Sequence, residues 1–344
     1  MNSSLLFYLL FITFINNFFL LPFVLIGSLF TKKIITLYTN INYICISGLL
    51  KYYYNISVYI ENIKIAYELC NAPESIKLVY QQDSKQIEND TSIIILNHLT
   101  QFDFVTLTLF SSFSKNILFP NTRGIIYYFA YIYLPGIGIL SYLNKGVMIS
   151  FNKIKNFLNL EKCKINKNDL IYLYPEGNVY CTKMKNSVDK YCDDNNIERM
   201  KNCLYPRSGA LDILHKNNNI KNIYSVCMQY DNIKPCGKYH TLSNTKLPNK
   251  VYFKFNKHEL NGENINKKTV DIFREFDNEL DKNIDESKYL LIGKSYIELF
   301  CMIFFALLFI TACYCIINYN YVLLYYVIGT ILYYVYTFIV IYTK

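Results

Sequence analysis

Uncharged apolar runs close both ends of this chain, and whatever lies between them has to be arranged around that fact. Residues 5–30 carry no charged side chain, and a helix needs about 20 apolar residues to cross a bilayer. Asn16, Asn17 and Pro22 interrupt the run, so it reads as a span or as a kinked, re-entrant anchor. No basic stretch precedes it, and it is longer than the apolar core of a signal peptide, which argues against a cleaved leader. At the other end, 296–317 and 321–342 are apolar runs separated by Asn318, Tyr319 and Asn320. That is the pattern of a transmembrane hairpin. Residues 34–60 alternate apolar and polar character and end Tyr-rich, as an interfacial helix would. The expected organisation is therefore 1–60 as N-terminal membrane anchor and interfacial helix, 61–295 as the main domain, and 296–344 as the hairpin.

Composition agrees. Charged residues make up 18% of the chain and apolar residues 52%, against about 25% charged in ordinary soluble domains. This excludes a disordered chain and argues against a freely soluble one. Lys32 and Lys33 follow the first run, Lys288 and Lys294 precede the hairpin, and Lys344 follows it. Positive residues stay on the cytosolic side, so the main domain and the C-terminus are expected in the cytosol. Of the sequons at Asn2, Asn55 and Asn89, only Asn2 would then face the lumen. The net charge of +9 is concentrated in the middle, which suits anionic lipid headgroups or anionic substrates. No dense Lys/Arg stripe or binding module points to nucleic acid. The cysteines number eleven, an odd count without a CxxC pair. Cys181, Cys192 and Cys203 recur regularly, but in a polar stretch without His partners. Free thiols in a reducing compartment are expected, with no metal.

The middle reads as short apolar strands alternating with helices. Strands are expected at 57–64, 92–97, 169–174, 223–230 and 250–256, and helices at 101–113, 151–161, 207–216 and 268–282. The polar stretches 81–91, 182–202 and 257–267 read as loops. This is an α/β fold, a mixed sheet flanked by helices.

Two segments carry chemistry. In the first, Ile93-Ile94-Ile95-Leu96-Asn97-His98-Leu99-Thr100-Gln101-Phe102-Asp103, a strand delivers His98 at its C-terminal end, where active-site groups of open α/β sheets gather. Thr100 reads as a helix N-cap with Asp103 at the third helical position. If His98 sits in the turn and Asp103 in the first helical turn, the carboxylate reaches back to one imidazole nitrogen. The other is then left as a base. The second segment is Leu170-Ile171-Tyr172-Leu173-Tyr174-Pro175-Glu176-Gly177-Asn178. Here a strand ends in a turn shaped by Pro175 and Gly177, with Glu176 at its tip. Each segment alone also fits an ordinary strand end.

Together they resemble the glycerolipid acyltransferase family, which acylates 1-acyl-sn-glycerol-3-phosphate and other lysophospholipids. Its N-H-x4-D block is matched by Asn97, His98 and Asp103. Its F-P-E-G-T block is matched by Tyr174, Pro175, Glu176, Gly177 and Asn178. Leu134-Pro135-Gly136-Ile137-Gly138 is similar to the P-x-x-G turn between them. Leu204-Tyr205-Pro206-Arg207-Ser208-Gly209 is similar to the L-x-P-R-T-x-G stretch of the membrane-bound lysophosphatidic acid and lysocardiolipin acyltransferase branch. The chain departs from the family where Phe151 falls near an Arg position and Tyr128 stands at a Lys position. Asn178 replaces Thr, and Met228-Gln229-Tyr230-Asp231 lacks the proline of the late block.

The resemblance implies a multi-pass membrane enzyme, at the endoplasmic reticulum, that uses acyl-CoA as co-substrate, with no bound cofactor. His98 would be the base and Asp103 its orienting partner. Pro175, Glu176, Gly177, Asn178 and Arg207 would bind the lysophospholipid headgroup, with Arg207 the best remaining phosphate contact. The first acceptor is lysophosphatidic acid, giving phosphatidic acid for phospholipid biosynthesis. The alternatives are another lysolipid, such as lysophosphatidylinositol or lysocardiolipin, or a catalytically weak membrane scaffold that binds lipid. Other chemistries are poorly served. Gly136-Ile137-Gly138 lacks a third glycine, no P-loop or G-x-S-x-G elbow occurs, and His215, His240 and His258 are scattered in polar surroundings.

Overall fold

The computed structural model describes residues 33–69, 92–103, 109, 121–127, 146–165, 169–233, 235, 247–260 and 262–318. Among these, the strands β1 (Ser57–Glu61), β2 (Ser92–Leu96), β3 (Asn121–Tyr127), β4 (Val147–Ile149), β5 (Asp169–Leu173), β6 (Asn222–Tyr230), β7 (Lys250–Glu259) and β8 (Leu290–Ile292) form one sheet. Its order is β4-β3-β5-β2-β6-β7-β1-β8. The run from β4 to β6 is parallel throughout. Antiparallel pairing enters at β6–β7 and β1–β8. A parallel strand covered on both faces should be apolar along its whole length. The stretch Ile93–Leu96 of β2 and all of β6 are buried accordingly.

Alternate residues of these central strands feed two cores. On one face Ile94, Leu96, Val226 and Met228 pack with Leu49, Leu50 and Phe102. On the other, Ile93, Ile95, Ile171, Leu173 and Cys227 pack with Leu211, Leu214, Ile272 and Phe273. The second face is covered by α5 (Gly209–Asn218) and α6 (Ile265–Asp281), with α3 (Lys153–Glu161) beside α5. Helix α6 buries Ile265, Thr269, Ile272, Phe273 and Phe276, a helical stripe, and Asn264 caps it by accepting from the N–H groups of Asn266 and Lys267.

The first face carries α1 (Lys33–Gly48), which continues into a π-helical turn at Leu49–Tyr53, and α2 (Ile63–Leu69). Helix α1 packs against α7 (Tyr296–Asn318). Their contact is held by a buried ion pair between Lys51 and Glu298, 3.0 Å apart. Ser47 donates to the same carboxylate at 2.6 Å, and the Ser295 N–H does so at 3.0 Å. Lys51 also reaches the Gly293 carbonyl, and the Tyr52 hydroxyl the Ser295 carbonyl. A charge is tolerated in such a place only when its hydrogen-bonding capacity is met. Close approach is possible because position 48 is glycine. A Cβ there would lie 2.4 Å from the Glu298 carbonyl oxygen.

Several sequence expectations change. The segment 34–60 is not one interfacial helix. It divides into α1, the π turn and β1, and Leu49, Leu50 and Lys51 are buried. The expected strand 57–64 ends at Glu61, and α2 begins at Ile63. The polar stretch 182–202 contains a helix, α4 (Thr182–Asp194). Its residues are mostly polar because it lies on the surface, anchored by buried Cys192 and carrying a Lys185–Asp189 pair one turn apart. The stretch 257–267 belongs partly to β7 and partly to α6, because pairing with β6 continues to Glu259. Strands β3, β4 and β8 were not anticipated. The seven cysteines whose side chains are described, including Cys181, Cys192 and Cys203, are buried free thiols.

The runs 5–30 and 321–342, the sequons at Asn2 and Asn89, and the loop 81–91 lie outside the described residues. The run 296–317 falls on α7, a helix of 23 residues whose one charged side chain is Glu298. Taken over the described residues alone, no helix is long and apolar enough to cross a membrane. Several interior side chains of α7 lie outside that description.

The Gly48 contact is testable. Gly48→Ala should drive α1 and α7 apart and destabilise the chain by about 1–3 kcal/mol, the usual cost of overpacking. Thermal unfolding followed with a thiol-reactive dye reads this directly, because Cys45 and Cys301 are buried and become reactive as the helices part. An unchanged transition would refute the close approach.

Candidate active site

The C-terminal ends of three parallel neighbours, β5, β2 and β6, meet at one edge of the sheet. At the end of β2 the Asn97 side chain is buried and continues the ladder. Its Nδ2 donates to the Met228 carbonyl at 3.0 Å, and its Oδ1 accepts from the Met228 N–H at 2.7 Å. This amide pair stops β2 at a defined place beside β6, so the next residue, His98, leaves the sheet in a fixed direction.

His98 Nδ1 lies 2.9 Å from Asp103 Oδ2. The His98 side chain is 19% exposed and that of Asp103 is 0% exposed. Four further donors converge on the same carboxylate. The N–H groups of Leu99 and Thr100 donate to Oδ2 at 2.7 and 3.0 Å. The hydroxyls of Thr100 and Tyr230 donate to Oδ1 at 3.2 and 2.7 Å. Thr100 also accepts from the Phe102 N–H at 2.7 Å. Asp103 thus reaches back to the Thr100 N–H while the Thr100 hydroxyl accepts from the chain ahead, the hydrogen bonding expected of a cap; most of the helix expected at 101–113 lies outside the described residues. Because a carboxylate accepts, Nδ1 must carry the proton in this pair. Nε2, which has no partner among the described residues, is the nitrogen left to act as a base. The imidazole face is held by Tyr174, whose ring stacks on it at 4.3 Å with an interplanar angle of 25°.

At the end of β5, Tyr174-Pro175-Glu176-Gly177 forms a tight turn closed by the Gly177 N–H on the Tyr174 carbonyl at 2.9 Å. Gly177 has a φ of 70°, a left-handed conformation that glycine adopts without strain. The sequence expectation placed Glu176 toward a ligand. Its carboxylate is instead buried, with Oε1 accepting from the His98 N–H at 2.9 Å and Oε2 from the Leu204 N–H at 3.3 Å. Burial pushes its pKa well above the usual carboxylate range, against the pull of these two N–H groups. Glu176 therefore acts as a brace that locks the β2 end to the 204–207 loop. The Tyr180 N–H donates to the His98 carbonyl at 2.9 Å, so the 174–180 loop grips the His98 backbone from both sides.

Arg207 sits beside the same turn. Its N–H donates to the Pro175 carbonyl at 2.7 Å, and its side chain passes Gly177, where an added Cβ would lie 3.8 Å from Arg207 Cδ. Arg207 is exposed, and its guanidinium has no ion-pair partner among the described residues. Asn178 is half-buried in the same loop. His98, Asp103, Pro175, Glu176, Gly177, Asn178 and Arg207 are thereby brought to one place from separate stretches of chain. Phe151 is exposed, while Tyr128 and the 134–138 turn lie outside the described residues. Among the described residues no group of His, Cys, Asp and Glu could hold a metal ion. His258, in a polar stretch of sequence, is half-buried on β7 against the Ser225 hydroxyl at 2.8 Å, and burial with Lys268 nearby lowers its pKa to about 4.

Sequence reasoning missed Tyr230 as an Asp103 donor. The signal was a lone Tyr at the end of an apolar strand, in a chain with 34 tyrosines. It also gave no role to Tyr174. That hydroxyl is buried without a hydrogen-bond partner among the described residues, and burial raises its pKa well above the ordinary phenol value. Two single-oxygen deletions should therefore act in opposite directions. Tyr230→Phe withdraws a donor from a buried carboxylate and should cost about 1–3 kcal/mol. Tyr174→Phe removes an unsatisfied group and should leave stability unchanged or raise it by about 1 kcal/mol. Thermal unfolding of the two variants beside the wild type checks both signs.

No family model and no curated protein matches this sequence. Among solved structures, the chain is similar to the 1-acyl-sn-glycerophosphate (LPA) acyltransferase PlsC from Thermotoga maritima. The two share 14% identity at a TM-score of 0.46, over 82% of this chain and 99% of that one.

Proposed function

We propose that this chain is an acyltransferase that moves an acyl group from a CoA thioester to the free hydroxyl of a lysophospholipid, with lysophosphatidic acid as the first acceptor. One observation carries the reading. A histidine at the edge of the sheet is oriented by a fully buried aspartate, its second nitrogen is open, and among the described residues no enzyme hydroxyl or thiol is bonded to that nitrogen. In a catalytic triad the third position is an enzyme nucleophile. Here the position is left for a hydroxyl that arrives with the substrate.

His98 Nε2 takes the proton of the acceptor hydroxyl as its oxygen bonds to the thioester carbonyl carbon. Asp103 steadies the imidazolium that forms. The tetrahedral intermediate collapses with cleavage of the C–S bond, and the imidazolium returns the proton to the CoA thiolate. The products are the diacyl lipid and free CoA. General-base help of this kind is worth about 10²–10⁴-fold. Glu176 contributes by holding the His98 backbone and the 204–207 loop in register. Arg207, exposed beside the Gly177 turn, supplies the cation for a headgroup phosphate, and its planar fork suits two phosphate oxygens. Asn178 supplies a neutral polar contact to the glycerol.

A lysolipid acceptor goes with attachment to a bilayer. Helix α7 supports this with exposed apolar side chains that include Phe300, Ile303, Phe304, Leu307, Ile310 and Ile317, which water would disfavour along so great a length. The lysines near the apolar runs favour a cytosolic catalytic domain, and the endoplasmic reticulum is the membrane that the sequence resemblance implies.

The test is the full-length protein in nanodiscs, given labelled acyl-CoA and a panel of lysophospholipids. Wild type should yield one diacyl product, greatest with lysophosphatidic acid. His98→Ala and Asp103→Asn should each lower the rate by about 10²-fold or more. Arg207→Ala should raise KM for the phosphate-bearing acceptor more than it lowers kcat. Full activity in His98→Ala would refute the mechanism. A folded wild type inert toward every acceptor would favour the lipid-binding scaffold.

A further inference from the structure

Helix α3 is assembled inside out for a protein surrounded by water. Its inward side is polar. Asn156 exchanges hydrogen bonds with the Ser150 backbone at 2.6 and 2.7 Å, and Asn159 Nδ2 donates to the Met148 carbonyl at 3.0 Å. These amides tie the helix to β4, the edge strand of the sheet, and Leu160 is its one buried apolar residue. The outward side is apolar. Ile154 is 74% exposed, Phe157 48% and Leu158 43%, and Phe151, just before the Asn152 cap, is 74% exposed. At about 100° per residue, Ile154, Phe157 and Leu158 share an arc of about 100° on the side opposite Asn156 and Asn159. A surface helix in water has the opposite pattern.

The flanks of this stripe are basic. Lys153 and Lys155 lie in the first turn, and Lys162 and Lys164 follow the last. Glu161 is the only acidic residue between 151 and 164. Lys153, Lys162 and Lys164 have no ion-pair partner among the described residues. An apolar stripe bordered by lysines matches a bilayer surface, with acyl chains taking the Phe, Ile and Leu side chains and anionic headgroups taking the ammonium groups. A protein partner would be expected to present acids against those lysines and a hollow for the stripe. A lipid surface needs neither.

We infer that α3, with Phe151, is a membrane-docking surface that inserts into the headgroup region of an anionic bilayer. It gives the catalytic domain an attachment separate from the apolar ends, at the β4 edge of the sheet. The inference concerns where this face lies, whatever reaction the site performs.

The chain contains no tryptophan, so Phe157→Trp installs a single reporter. The full-length variant is reconstituted into vesicles of phosphatidylcholine and phosphatidylglycerol containing acyl-brominated lipid. The indole of the Phe157→Trp chain should shift its emission to the blue and lose fluorescence to the brominated chains while resisting iodide. Ile154→Trp should behave alike, and Tyr191→Trp on polar α4 should show the reverse. Replacing Lys153, Lys162 and Lys164 by Gln in the Phe157→Trp chain should weaken the lipid quenching, as should high salt. Co-flotation with the vesicles and an unchanged unfolding transition show that each variant is inserted and folded. Three outcomes overturn the inference. They are a chain that does not co-float, a reporter quenched by iodide and not by lipid, and a reporter shielded from both, which would place protein on this face.

Discussion

The buried carboxylate of Asp103 is the group on which the arrangement of the site depends. Among the described residues, five polar contacts reach it, from the His98 ring, two backbone N–H groups, the Thr100 hydroxyl and the Tyr230 hydroxyl. A carboxylate taken out of water has to regain the bonds it gave up. Here that requirement shapes the structure. The two N–H groups hold the turn after β2, the Thr100 hydroxyl ties that turn to the carboxylate, and Tyr230 can donate only if β6 ends beside β2. The histidine is the one donor among the five whose second polar atom is a basic nitrogen, which is why chemistry is assigned to it.

Glu176 extends the same principle to the neighbouring strand. Parallel strands share no hairpin that would set the height of one strand end against the next. The Asn97 amide on Met228 and the Glu176 carboxylate on the N–H groups of His98 and Leu204 set it instead. Buried polar groups with every partner in place rigidify a site. The Tyr174 hydroxyl, without a partner among the described residues, is the exception, on the ring that stacks against His98.

Two other features share a logic of inverted polarity. The α1–α7 contact buries an ion pair and serine beside close-packed backbone, while α7 turns apolar residues outward. Helix α3 turns asparagines inward and apolar residues outward. Both arrangements place their polar groups where protein can satisfy them and their apolar groups where a second, non-aqueous phase would receive them.

Much of this could be read from the residues in order. The apolar 93–96 and the largely apolar 223–228 pointed to buried strands, and N-H-x4-D with Thr100 between fitted a turn that brings a carboxylate back to an imidazole. These are local consequences of side-chain polarity and spacing, acting over a few residues. The helix at 182–194 escaped because so few of its residues are apolar that the stretch reads as a solvated loop. Strands β4 and β8 escaped because three-residue segments acquire extended structure from their neighbours, and β3 because its first half, Asn121-Thr122-Arg123-Gly124, is not apolar. Glu176 was placed at the right turn, but whether it faced outward or inward depended on Leu204, 28 residues further on. Tyr230 is 127 residues from the aspartate it supports. The sequence by itself determined the central strands, the His–Asp pair and the apolar ends, because each is encoded within one short stretch. Only the tertiary structure decided which carboxylate braces the strand ends and which holds the histidine, because desolvation and hydrogen-bond supply are set by distant segments.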